Sequence, residues 1–143
     1  MSAWSWFFFY GVPDSQFPPR LESGETYTAQ SPTLSGYLKI EYDEKEIWDE
    51  VERIVKECEG KKWTIGQNLY YQIPFFCNAH ILYRPEFTKY LSQYQMITDF
   101  NIPIADSIDK VDAKTWRMMQ ILKTELTACH NHKMEKDRGN RKI

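Results

Sequence analysis

The stretch "WSWFFFYG", residues 4–11, decides how this chain is read. From Trp4 to Tyr10 only Ser5 is not aromatic. As a core strand it needs apolar cover on both faces, because it lacks the polar alternation of a half-exposed strand. A small helical domain offers one such face. A membrane interface gathers Trp and Tyr but also basic residues, and the first nineteen residues contain no Lys or Arg. Left in water, the rings form an apolar patch of a kind that monomeric proteins avoid. The remaining placement is a groove on a neighbouring subunit. Trp4, Trp6, Phe8 and Tyr10 are then the expected anchors, since Trp and Tyr dominate interface energetics.

The next residues favour reach over packing. "PDSQFPPRLESGETYTAQSPTLS", residues 13–35, holds Pro13, Pro18, Pro19, Pro32 and Gly24 among Ser and Thr. Such a segment resists helix and reads as extended. Residues 1–35 are therefore expected to be an extended, Pro-rich, aromatic arm. "GYLKIEY", residues 36–42, alternates weakly and suits one minor strand.

Residues 36–136 read as a helical domain. Asp43 and Glu46 make a capping-box pattern. Behind it Ile47, Trp48, Val51, Ile54, Val55 and Cys58 recur on a helical period, and Gly60 stops the helix. "KKWTIGQNLYYQ", residues 61–72, suits a strand or a short helix equally. Pro74 predicts a helix over 75–82, and Pro85 another over 86–100, with Phe87, Tyr90, Leu91, Tyr94, Ile97 and Phe100 along one side. "NIPIADS", residues 101–107, is a turn. Asp112 caps a last helix running to about Lys136, with Trp116, Met119, Leu122, Leu126 and Cys129 as its stripe. Residues 137–143 are left as a basic tail. The expected fold is mainly α: a small bundle of three to four helices with an extended arm and at most a minor strand or hairpin.

Composition narrows the function. The chain has 143 residues, enough for one domain with an arm. Aromatic residues make up 15%, more than a small core hides, and interfaces collect that surplus. The net charge of −2 gives no global attraction to phosphate, so nucleic acid is not an expected partner. Three cysteines are too few and too odd in number for a disulfide framework. The aromatic run lacks a basic leader and a small-residue cleavage site, so no signal peptide and no secretion are expected. It is also too short to cross a bilayer, and no other run is long enough.

One constellation invites metal chemistry. Cys77-x-x-His80 and Cys129-x-x-His132 are two Cys-x-x-His pairs in a chain with three His. On a helix, i and i+3 share a face, and two such helices side by side would make a Cys₂His₂ tetrahedron for structural zinc. The competing reading has both cysteines as small buried hydrophobes. Catalytic signals are absent from the sequence: no Gly-x-Ser-x-Gly, no GxGxxG and no GxxxxGK[ST]. "HNH" at 130–132 is only a tripeptide late in a helix.

The expectation is a non-enzymatic structural or adaptor subunit of a larger macromolecular assembly, docking on other protein subunits, identical or different, through its aromatic arm. A virus or phage particle, its assembly machinery, or an accessory subunit of a large complex all fit. Location is then cytoplasmic or within such a particle. The alternative is a small zinc-stabilised binding or regulatory domain.

Overall fold

A computed structural model describes residues 1–30 and 39–141. The fold is mainly helical, 65% helix, with five α-helices and one antiparallel pair of strands among the described residues. The elements are α1 (Ser2–Tyr10), β1 (Tyr27–Gln30), β2 (Lys39–Tyr42), α2 (Glu44–Glu57), α3 (Ile65–Gln72), α4 (Pro85–Phe100) and α5 (Ala113–Asn140). Short 3-10 turns lie at Ile73–Phe75, Ala79–Leu82 and Ile108–Lys110.

The first correction concerns the arm. The aromatic stretch is a helix, and it packs against α3 and α5 of its own chain. Residues 27–30, placed in the arm from sequence, are a strand paired with residues 39–42, Tyr27 opposite Tyr42. Residues 31–35 of the expected arm and 36–38 of the expected strand lie outside the described residues. Helix count is the second correction: five replace the expected three or four, with α1 and α3 as additions. The third is the helix expected over 75–82, which is two 3-10 turns flanking Phe76–Asn78. Pro74 sets that first turn, and Asn78 caps the second by accepting from the His80 N–H.

Where caps and stripe agree, the helices form as read. Asp43 and Glu46 exchange hydrogen bonds of 2.8 Å in both directions, closing the capping box of α2. That helix buries Ile47, Val51 and Ile54 against the strands, α3 and the turn after it. Asp112 caps α5 through the Thr115 N–H, and the helix runs through Asn140 rather than ending near Lys136.

The core has two centres. One joins Phe7, Tyr42, Ile47, Ile54, Ile73, Phe76 and Cys77. The other lies between α4 and α5 and is built on Tyr90, Leu91, Met119 and Leu122. Trp4 packs against both, so α1 is the element that bridges them. Among the described residues, no helix is long and apolar enough to cross a membrane.

Candidate functional site

The expected anchors divide sharply. Trp6 is fully buried, Trp4 and Tyr10 are partly buried, and Phe8 alone stands open, at 53% exposure. A single buried acid explains the seating. Glu125 lies in the core of α5, and its Oε2 accepts from Trp6 Nε1 at 2.8 Å and from Thr64 Oγ1 at 2.5 Å. Its Oε1 accepts from the Gly66 N–H at 3.1 Å. Thr64 is also the N-cap of α3, taking the Gln67 N–H on its hydroxyl. The carboxylate therefore sits at the N-terminus of α3, where free N–H groups and the helix dipole favour negative charge. A buried Glu is tolerated only with such partners. Its donors come from α1, α3 and the cap between them, so Glu125 fastens three elements together.

Gly66 makes this meeting close. A side-chain carbon at this position would stand 2.5 Å from the Ser2 carbonyl oxygen and closer still to Glu125 Oε2. Only hydrogen fits between α1, α3 and α5 here.

The two Cys-x-x-His pairs are not gathered into a metal centre. Among the described residues no group of three or more His, Cys, Asp or Glu is placed to hold a metal ion. Cys77 is buried in the first core centre, where desolvation pushes its thiol up to about 12. Cys129 is buried on α5, and desolvation likewise pushes its thiol up to about 12. His80 is exposed on its 3-10 turn. His132 is held at both ring nitrogens, by Tyr10 Oη at 3.0 Å on Nδ1 and by Tyr71 Oη at 2.9 Å on Nε2. Tyr10 donates its one proton to the Cys129 carbonyl at 3.0 Å. His132 must then donate from Nδ1 and, when neutral, accept from Tyr71 at Nε2. Trp6 and Tyr10 ring contacts complete this aromatic clamp on the end of α1.

The open surface lies elsewhere. Between α4 and α5 runs an apolar groove of about 310 Å³, lined by Tyr94, Ile97, Ile104, Ile108, Trp116 and Met119 among others. Its floor belongs to the second core centre. Its edges are bare: Ile108 is 68% exposed and Trp116 47%. The sequence builds it locally. Asn101 takes a left-handed backbone (φ 54) that ends α4, the Ile102 N–H closes back on the Met96 carbonyl, and Pro103 bars further helix. The connection to α5 then carries Ile102, Ile104, Ile108 and Val111, more apolar residues than a solvated turn needs. The polar groups that line the groove are Ser107, Gln120 and Lys123. The arrangement can hold apolar surface.

Sequence reasoning missed the groove because it assigned Trp116 to the core stripe of α5. The four branched apolar residues in the connection were the available signal. Comparison with known proteins returns no match to this chain, whether family models, curated proteins or solved structures are considered.

Proposed function

We propose that this chain is a non-enzymatic structural or adaptor subunit of a larger assembly, and that it docks through the groove between α4 and α5. One observation carries the proposal: an apolar groove whose lining side chains Ile108 and Trp116 stand exposed to water. Exposed apolar surface gathered around a concavity is what interfaces use, and aromatic residues with Ile and Met supply the buried centre of such contacts. The aromatic stretch at residues 4–10 serves the same end indirectly. It stabilises the scaffold on which the groove is displayed, through Trp4 and the Glu125 fastening. A virus or phage particle, its assembly machinery, or a large multi-subunit complex is the setting in which such a subunit works.

Site-specific photo-cross-linking tests this. A photoreactive residue replaces Ile108 in the groove or, as control, Val55 on the outer face of α2. In cells where the protein is native, Ile108 should give a discrete protein adduct and Val55 should not. No adduct at Ile108, or equal labelling at both positions, refutes docking through the groove.

A further inference from the structure

Granted docking through this groove, we infer that its occupant is a second copy of this chain, set by a two-fold axis running along the groove. Charge at the rims selects that partner. One rim is formed by the end of α4 and the connection that follows, and it carries exposed Asp99, Asp106 and Asp109. Asp106 is paired with Lys110 at 2.9 Å, and among the described residues Asp99 and Asp109 have no ion pair. The other rim is α5, with exposed Lys114, Arg117 and Lys123. Lys114 is matched by Glu86 at 3.3 Å, and among the described residues Arg117 and Lys123 have no ion pair. Exposed acids therefore gather on the segment along one side of an apolar groove and exposed bases on the helix along the other, with Lys123 lining the groove itself.

Such a patch is complementary to itself. A dyad along the groove turns one copy over so that each acidic rim faces the other copy's basic rim, and the contact is made twice. A dyad across the groove would set acid against acid and base against base, a costly arrangement. Along-groove symmetry also lays the exposed rings and branched side chains of both copies against each other. Ile108 and Trp116 are then covered from both sides. On α5, Trp116, Met119, Gln120 and Lys123 recur at i, i+3, i+4 and i+7, one helical face. The two copies of α5 then run side by side in the same direction, each offering Lys123 to the other copy's Asp109.

The test is the solution mass of the purified full chain by sedimentation over a wide concentration range. The mass should rise from 17.1 kDa toward twice that value. Lys123→Glu and Asp109→Lys should each raise the dimer dissociation constant by about tenfold or more, and the double variant should recover most of the loss. Each change is at an exposed residue, and circular dichroism checks that the fold is kept. Ile108→Glu should abolish the dimer. A mass fixed at 17.1 kDa up to about 0.5 mM overturns the inference. So does a dimer indifferent to both charge reversals and to Ile108→Glu. The Ile108 cross-link separates this inference from the docking it rests on. An adduct of two copies supports both, an adduct with a different protein sinks only the second copy, and no adduct sinks both.

Discussion

Gly66→Ala tests the seating of α1 more directly than any change to the aromatic residues themselves. The new methyl carbon would lie 2.5 Å from the Ser2 carbonyl oxygen and against the Glu125 carboxylate. Ordinary contact needs nearly an ångström more. Backbone of α1 cannot rotate away as a flexible side chain can, so the helix must shift or the carboxylate must leave. Overpacking of this kind costs about 1–3 kcal/mol. Displacing the carboxylate also loses its hydrogen bond from the Gly66 N–H, worth about 1.5–3 kcal/mol for a charged acceptor. Against this stands a gain of about 0.4–1 kcal/mol from stiffening the unfolded chain. The net expectation is a loss of about 2–4 kcal/mol. Urea unfolding followed by tryptophan fluorescence and circular dichroism measures it, with Trp6 emission shifting red as its burial is relieved. Gly139→Ala is the control. It lies in α5 with nothing within 4 Å of the added carbon, so it should be neutral or slightly stabilising. If Gly66→Ala falls within about 0.5 kcal/mol of the parent, α1 is not pressed against α3 and the account of a seated aromatic helix is wrong.

Two further outcomes follow from the buried thiols. In the folded chain at pH 8, Cys77 and Cys129 should react with a thiol reagent on the order of a thousandfold more slowly than a free cysteine, because thiols pushed up to about 12 hold few thiolates; rapid stoichiometric labelling before unfolding would refute their burial. Stability should also fall as pH rises above about 9. The unfolded thiols lose protons near 8.5 while the folded ones keep them toward 12, so the folded state holds more protons through that window and each thiol costs about 1.4 kcal/mol per pH unit. Urea midpoints that stay level from pH 7.5 to about 10.5 would contradict this.

The legible parts of the fold were those in which local signals coincide. In α2 a capping box, an apolar stripe and a terminal glycine all point the same way, and the helix begins at Glu44 as expected. In α4 and α5 the Pro85 start and the Asp112 cap did the same. The α1 helix was hidden because none of these signals exists there. It has no side-chain cap, and its residues are apolar on nearly every side, so no helical period emerges. Its all-round apolar character answers to a position between α3, α5 and the turn at Ala79–Leu82. One seated helix thus meets several faces, where a strand would have needed two. Glu125 was readable in hindsight by phase alone. It falls between Leu122 and Leu126 in the stripe that ends at Cys129, an acid at a core position. What the sequence could not supply was the partner, since Trp6 stands 119 residues away. The groove stayed hidden for the opposite reason: Trp116 keeps the helical period of a core residue but faces a space that no described element of its own chain fills.

The pairing of Trp6 with Glu125 also sets a schedule for biogenesis. The ribosome makes α1 first among these helices and α5 last, with 119 residues between the two bonded positions. Throughout that interval the densest aromatic segment of the chain lacks the cover that α5 provides, and loop closure over so great a separation comes late. The nascent polypeptide is therefore expected to keep part of its aromatic surface exposed until the final helix clears the exit tunnel. A message broken before the codon for Glu125 yields a product that is sticky at its beginning because it is missing its end.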